Sequence, residues 1–274
     1  MKTIRKGDKG AEVTLCQERL AANGFYSDTV DGDFGPSTDQ SVRRYQSANG
    51  LTVDGIVGRG TWGKLLADSS AQIEAIPVSG PRPSVIQHAE SLGHTVWDEP
   101  WRLWLFGIRS PNRMANSFDD TLGCVYVDGN NLWRVHRWPG TTDPGTYWLE
   151  NPMNSAGCAI LVAKQYLDTW KIDLHGGKYE ALCQRTGEVS VYRDSSNDNK
   201  LDFDPSSIAT GYFGINIHAA TQNTGASSAQ VNKWSAGCQV HASEAGFTEM
   251  MKLARQQAQK IGRDTFSYTL MDRW

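Results

Sequence analysis

Phe213-Gly214-Ile215-Asn216-Ile217-His218 alternates apolar and polar residues in the manner of a β-strand and therefore indicates a β-containing domain. Lys233-Trp234-Ser235-Ala236-Gly237-Cys238 follows it, so a cysteine stands twenty positions after the histidine (238 − 218). A thiol becomes a nucleophile when a nearby imidazole can take its proton. The two segments predict Cys238 as a nucleophile and His218 as its base, provided that the fold brings them together.

Other short strand-like runs surround this segment and are separated by turn residues. They are residues 101–109, 122–127, 131–138, 157–161, 188–193 and 266–270. Two segments, 85–92 and 244–261, have the apolar spacing of helices instead. We predict one mainly β domain of the α+β class over residues 85–274.

The first seventy residues contain an internal repeat. Val30-Asp31-Gly32-Asp33-Phe34-Gly35 recurs as Val53-Asp54-Gly55-Ile56-Val57-Gly58. Helical patterns precede and follow these loops, the Asp-Gly pairs favour turns, and Thr38 and Thr61 stand where N-caps are expected. The repeat predicts a small all-α, three-helix domain over residues 1–68. Residues 69–84 are rich in Ser, Pro and Gly and are predicted to form a linker.

The N-terminal segment resembles the three-helix peptidoglycan-binding domain of bacterial and phage cell-wall enzymes. The resemblance rests on Gly7-Asp8-Lys9-Gly10, the two Val-Asp-Gly loops, Arg44-Tyr45-Gln46 and Gly60-Thr61-Trp62, which occur in order. It implies bacterial peptidoglycan as the partner. The candidate contact residues for this ligand are Asp31, Phe34, Tyr45 and Trp62.

The segment around Cys238 resembles the catalytic motif of L,D-transpeptidases, in which a histidine is followed at similar distance by Ser/Thr-His-Gly-Cys. Sixteen residues separate His218 from Ser235 (235 − 218 − 1). The resemblance implies that His218 is the base and Cys238 the nucleophile, and that Ser235 and Gly237 shape the site. Trp234, which precedes Ser235, is a further candidate substrate contact. Ala236 replaces the motif histidine, and His241 stands three residues after the cysteine instead.

The N–H groups of Gly237 and Cys238 are expected to face a developing oxyanion, because a glycine lets the backbone turn tightly at that point. The motif Ser-Ala-Gly-Cys also occurs at 155–158. His136 lies eighteen residues before Ser155 (155 − 136 − 1), a longer gap than the one before Ser235. We therefore predict that Cys158 is a buried thiol at the start of a strand.

A candidate calcium loop has oxygen-bearing residues at alternate positions. They are Asp194, Ser196, Asp198, Lys200 (through its carbonyl) and Asp202. The glycine and glutamate of an EF-hand loop are absent, so the segment is either a structural calcium site or a solvated hairpin turn. No other cofactor is expected.

Composition excludes several classes of function. The net charge of −3 and pI of about 6.1 do not fit a nucleic-acid-binding protein. No apolar run reaches the ~20 residues of a membrane span, and the start of the chain lacks the apolar stretch of a signal peptide. We expect a monomer made in the bacterial host cytoplasm that acts on the cell wall, without membrane insertion. Five widely spaced cysteines indicate no disulfide framework.

Together these features predict a phage endolysin-like enzyme that cleaves stem peptides through a Cys-His acyl-enzyme, with hydrolysis favoured over transpeptidation. Two alternatives stay open. One is a glycan-strand hydrolase that uses a carboxylate pair drawn from Asp98, Glu99, Asp119, Asp120 and Glu150. The other is a wall-binding protein without catalytic activity.

Overall fold

A computed structural model describes residues 2–22, 25–26, 28–67, 74–113 and 115–272. The chain forms two compact units, residues 1–70 with 227–229 and residues 71–226 with 230–274. The first is helical and the second is mainly β, so the predicted fold class is confirmed. Within the described ranges, every helix is too short or too polar to cross a membrane.

The N-terminal unit has three helices, α1 (Ala11–Ala22), α2 (Pro36–Ala48) and α3 (Arg59–Ala67). Their apolar sides share one buried cluster that includes Leu20, Val42 and Leu65. Phe34, Tyr45 and Trp62 are part of that same cluster and are at most 3% exposed. They therefore stabilise the core, and their assignment as ligand contacts is wrong.

Each Asp-Gly loop is held by a buried glutamine. The Gln17 amide donates to the Asp31 carboxylate (2.8 Å), to the Asp33 carbonyl (3.0 Å) and to the Thr38 hydroxyl (3.0 Å). Gln46 makes the equivalent bonds to Asp54, Ile56 and Thr61. Helix α2 starts at Pro36 with Gly35 as N-cap, so Thr38 is not its cap. The two threonines instead tie the loops to the glutamines.

The second unit contains twelve strands and three helices among the described residues. The strands are β1 (Glu74–Pro77), β2 (Trp104–Arg109), β3 (Asp120–Val127), β4 (Leu132–Thr141), β5 (Cys158–Leu161), β6 (Gln165–His175), β7 (Tyr179–Gln184), β8 (Val189–Asp194), β9 (Ala209–Gly211), β10 (Ile217–Ala219), β11 (Gln239–His241) and β12 (Thr265–Asp272). The helices are α4 (Ser84–Ser91), α5 (Thr146–Glu150) and α6 (Glu244–Ile261).

Nine strands form one sheet in the order β1-β4-β11-β10-β7-β6-β12-β2-β3. Because β3 also pairs with β4, the hydrogen bonding closes eight of these strands, all except β1, into a ring. Strands β5, β8 and β9 form a second, three-stranded sheet. The ring places β10 and β11 side by side as parallel neighbours, which matters for the site.

Alternation along the strands divides the apolar residues between two cores. Leu105 belongs to the core that α6 covers with residues such as Phe247 and Met250. Trp104 and Phe106, its chain neighbours, belong to the core that α4 covers with Val85. Both sides of this part of the sheet are therefore buried.

Part of the predicted linker is a strand. Residues 69–73 of it lie outside the described ranges, but β1 pairs antiparallel with β4, and Glu74 faces Val135. Pro77 lacks the N–H that an inner strand would need, and β1 lies at the end of the sheet order, where that loss is tolerated. The linker assignment is therefore wrong for residues 74–77.

Candidate active site

The two predicted reactive side chains lie on neighbouring strands. Strand β10 carries His218, and β11 begins at Gln239, immediately after Cys238. In the parallel register Ile217 faces Gln239 and His218 faces Val240. The Asn216 N–H donates to the Cys238 sulfur (3.4 Å), so the thiol packs against the segment that leads into β10.

The His218 ring is oriented by a backbone carbonyl. Its Nδ1 lies 2.9 Å from the Ala219 carbonyl oxygen, which can only accept a hydrogen bond. We therefore assign the proton to Nδ1 and the free lone pair to Nε2. The Tyr179 hydroxyl lies 3.4 Å from the same Nδ1. In this tautomer Nε2 is the basic nitrogen of the ring.

The protonation states of the pair follow from burial. Burial lowers the pKa of His218 to about 3, and the charge of His175 adds to the effect, while the Ala219 carbonyl opposes it. Burial also raises the pKa of the Cys238 thiol to about 11, although the Asn216 N–H opposes the rise. At neutral pH the resting site therefore holds a neutral thiol and a neutral imidazole, rather than an ion pair.

The loop before Cys238 requires its glycine. Gly237 has φ +116°, and a Cβ there would stand 2.3 Å from the Ala159 carbonyl oxygen. The buried Ser235 hydroxyl donates to the Cys238 carbonyl (2.8 Å) and accepts from the Gly237 N–H (3.1 Å). Ser235 thus holds the loop.

This contact changes the expected oxyanion donors. The Gly237 N–H is engaged by Ser235, so its assignment as an oxyanion donor is wrong for this conformation. The Cys238 N–H has no hydrogen-bond partner in the described part of the chain. It is the donor that remains available.

The site contains a second imidazole ring. His175, at the end of β6, stacks on His218 with ring centroids 4.2 Å apart. The Asn216 side-chain amide lies 3.0 Å from His175 Nδ1 and accepts from the Gln184 N–H (2.9 Å). The Asn216 backbone therefore contacts the thiol, and the Asn216 side chain contacts His175. The polar Asn216 between Ile215 and Ile217 was the available sequence signal.

His241 does not replace the missing motif histidine. It lies on β11, is 1% exposed, and packs its ring against Trp138 and Phe247. Burial lowers its pKa to about 3. His241 is therefore a core residue behind the site.

Trp234 and Asp31 are the candidate substrate contacts that remain accessible. Trp234 is 46% exposed, four residues before Cys238. Asp31 lines a groove of about 550 Å³ on the helical unit, together with Asp28, Asp33 and Ser37. Its hydrogen bond from Gln17 lowers the pKa of Asp31, so this carboxylate is ionised at neutral pH.

Four of the five carboxylates considered for glycan hydrolysis accept hydrogen bonds or form ion pairs. Asp120 is buried and accepts from the backbone N–H groups of Ser110 (2.7 Å) and Thr142 (2.6 Å). Asp119 accepts from Asn112, whereas Asp98 and Glu99 form ion pairs with Arg82 and Arg102. These contacts do not favour a glycosidase pair.

The candidate calcium loop uses its carboxylates internally. Asp194 accepts from the Ser196 hydroxyl (2.9 Å) and from the Asp202 N–H (3.0 Å). Asp198 accepts from the Lys200 N–H (2.8 Å). Over the described ranges no three His, Cys, Asp or Glu side chains gather as a metal site. Calcium binding at this loop stays a prediction.

Comparison with known proteins separates the two units. Residues 9–65 match the family model of a putative peptidoglycan binding domain. A spore cortex-lytic enzyme of Bacillus cereus is 45% identical over 58 residues, which is 21% of this chain and 22% of that enzyme. The crystal structure of the SleB N-terminal domain is 39% identical and covers 25% of this chain and 94% of that one, with a TM-score of 0.25. The resemblance of the helical unit to peptidoglycan-binding domains is confirmed.

One solved structure aligns along nearly the whole chain, with low similarity. The L,D-transpeptidase (residues 123–326) of Xylanimonas cellulosilytica covers 98% of this chain and 98% of its own, at 17% identity and a TM-score of 0.23. A likeness at that level carries no argument about activity. The chain also spans only about a fifth of the length of the Bacillus cereus relative. The chemistry of the β unit therefore has to be argued from its own residues.

Proposed function

We propose that this protein is a cysteine enzyme that cleaves the stem peptides of bacterial peptidoglycan. The observation that carries the proposal is the parallel pairing of β10 with β11, in which β10 carries His218 and Cys238 immediately precedes β11, together with the Ala219 contact that assigns the His218 proton to Nδ1. The helical unit supports the choice of polymer, because its family model is that of a peptidoglycan-binding domain. Binding the wall through that unit would raise the local concentration of stem peptides at the site.

In the first step His218 Nε2 takes the thiol proton while the Cys238 sulfur attacks the carbonyl carbon of a peptide bond. Attack and proton transfer are concerted, since burial keeps both groups neutral before substrate binds. The oxyanion that forms accepts a hydrogen bond from the Cys238 N–H. When the C–N bond breaks, the imidazolium returns its proton to the leaving amine and a thioester remains.

In the second step a nucleophile releases the acyl group. When water is the acceptor, the water oxygen attacks the thioester carbon while His218 takes one of the water protons. The C–S bond then breaks, and the imidazolium returns the proton to the thiolate, which leaves a carboxylic acid and the free thiol. With a second stem peptide, an amine attacks instead and a cross-link forms. We propose water as the acceptor and a monomer as the working unit. The chain's own side chains and backbone suffice for these steps.

Mass analysis of purified muropeptides tests the proposal. Wild type should release shortened stem peptides, Cys238→Ala should release none, and the matched Cys158→Ala should behave as wild type. New cross-links without released peptides would overturn hydrolysis but keep the nucleophile. Reducing-sugar release that survives Cys238→Ala would replace the proposal by the glycosidase alternative, and the absence of any product with wild type would favour a binding protein.

A further inference from the structure

An open groove lies beside the loop that carries the nucleophile. Its volume is about 480 Å³. It is lined by Thr146, Tyr147, Glu150, Asn232, Lys233 and Trp234. The last of these is separated from the nucleophile by Ser235, Ala236 and Gly237. The groove and the candidate nucleophile therefore belong to the same loop segment, residues 232–238.

The groove is held in shape by hydrogen bonds from both sides. The Gly145 N–H donates to the Ser235 carbonyl (2.9 Å), and the Trp148 indole donates to the Lys233 carbonyl (3.0 Å). The Asn116 side chain bonds the Asn232 side chain (2.9 Å). A Cβ at Gly145 would stand 2.1 Å from the Asn232 carbonyl oxygen, so helix α5 approaches this loop as closely as a glycine permits. A ligand can bind to such a groove without the entropic cost of ordering the groove first.

Its surface combines flat aromatic faces with polar groups. Trp234 and Tyr147 are 46% and 36% exposed, so both rings are accessible to a ligand. The Lys233 ammonium lies 4.1 Å from the Tyr147 ring centroid. At the same surface the Glu150 carboxylate can accept hydrogen bonds, and the Asn232 side-chain amide can donate them. A pyranose ring offers the matching features, an apolar C–H face for stacking and hydroxyl and acetamido groups at its edge.

Size favours a sugar over a protein. Small-ligand sites typically occupy about 300–1,000 Å³, and this groove falls inside that range. A stable protein interface needs about 800 Å² from each partner, and the two exposed rings are only a small part of such an area.

We propose that this groove is a subsite for the glycan strand, and that it binds N-acetylated hexosamine units attached to the stem peptide at Cys238. The inference rests on the proposed function, which it extends from the peptide to the sugar. Trp234 supplies the stacking face, and Tyr147, Glu150 and Asn232 contact the edge of the ring. The enzyme would then favour glycan-linked stem peptides over free ones.

Fluorine NMR of the full chain labelled with 5-fluorotryptophan tests the binding directly. The Trp234 resonance is assigned from its loss in Trp234→Phe. Tetra-N-acetylchitotetraose should shift this resonance, while cellotetraose, which lacks the acetamido groups, should shift it at least about fivefold less at equal concentration. The shift should persist in Cys238→Ala, so it reports the subsite even if the proposed chemistry fails.

A kinetic comparison completes the test. Trp234→Ala should lower kcat/KM for a glycan-linked stem peptide about five- to tenfold more than for the same peptide without sugar. Leu92→Ala, which truncates an exposed apolar side chain outside the groove, should leave this ratio unchanged. Equal losses on both substrates, or no shift with the chitin oligomer, would overturn the subsite. A Trp234 shift that depends on protein concentration alone would assign the groove to a second copy and would also overturn it.

Discussion

The two Ser-Ala-Gly-Cys segments, 155–158 and 235–238, share a glycine with a positive φ angle and have different surroundings. Gly157 and Gly237 have φ angles of +104° and +116°. A Cβ at either position would stand within 2.3 Å of a carbonyl oxygen, from Asp194 in the first case and Ala159 in the second. In both segments a strand begins at the cysteine or just after it.

The two cysteines differ in strand partner, exposure and neighbouring side chains. Cys158 pairs antiparallel with Asp194 on β8 and is 4% exposed, whereas Cys238 is partly exposed and follows a loop next to β10, which carries His218. Burial raises the pKa of Cys158 to about 12. Ser155 is exposed, and the Asn154 side chain instead accepts from the Ala156 N–H (2.9 Å). Both copies of the motif therefore place a glycine with a positive φ angle before the cysteine, and the neighbouring strand determines which side chains lie near that cysteine.

Among the changes that compare the two cysteine segments, loss of the His218 imidazole should have the largest effect. We expect His218→Gln to lower kcat/KM on muropeptides by about 10³-fold, within the range for loss of a general base. His136→Gln, the matched change upstream of Cys158, should lower it less than about tenfold once the folded fraction is taken into account. Steady-state kinetics with both variants measures the difference. Equal losses would contradict the role given to His218.

Alkylation should show that neither cysteine is a resting thiolate. Because the pKa of Cys238 is raised to about 11, its thiol is protonated at neutral pH, and its reactivity should grow with pH up to about 11. At pH 8 iodoacetamide should modify it about 100-fold more slowly than a free cysteine, and Cys158 more slowly still. Peptide mass analysis over a pH series measures both rates. A plateau near pH 7 would indicate a preformed thiolate–imidazolium pair.

Replacing the two glycines should separate stability from activity. Gly237→Ala and Gly157→Ala should each cost at least about 2 kcal/mol, because the positive φ and the close carbonyl both oppose a Cβ. Only Gly237→Ala should also lower kcat/KM about 100-fold per folded molecule, since it displaces the nucleophile by about 1 Å. Urea unfolding and kinetics on the same samples report the two effects. A Gly237→Ala enzyme with wild-type kinetics would show that the loop geometry is not needed.

The serines should give the smallest effect. Ser235→Ala removes two buried hydrogen bonds and should lower the free energy of unfolding by about 1–3 kcal/mol. Ser155→Ala changes an exposed side chain and should stay within about 0.5 kcal/mol of wild type. Urea unfolding compares the two variants. Similar values for both would mean that the Ser235 contacts contribute no net stability.

Local signals allowed several elements to be predicted from sequence. Helix α6 has the predicted bounds, because the Ser243 side chain caps its N-terminus and Gly262 ends it in the left-handed region. His218 falls in a strand because apolar and polar residues alternate before it. Asp-Gly pairs marked the turns of the helical unit because few other residues favour those backbone angles.

Long-range pairing explains what sequence could not predict. The hairpin of β6 and β7 brings His175 from about forty positions away onto His218, and no local pattern marks that contact. Strand β11 has three residues and depends on β4 and β10 for its hydrogen bonds. Phe34 and Trp62 could be read as ligand contacts or core, because an aromatic residue in a loop motif fits both until burial is known.

The most direct test of the central claim is the position of the acyl group on the enzyme. A stem-peptide substrate is mixed with the protein, the reaction is stopped with acid during turnover, and the digested chain is analysed by mass spectrometry. We predict a thioester adduct on the peptide that contains Cys238 and none on the peptide that contains Cys158. An adduct on Cys158, or turnover that continues in Cys238→Ala, would contradict the account.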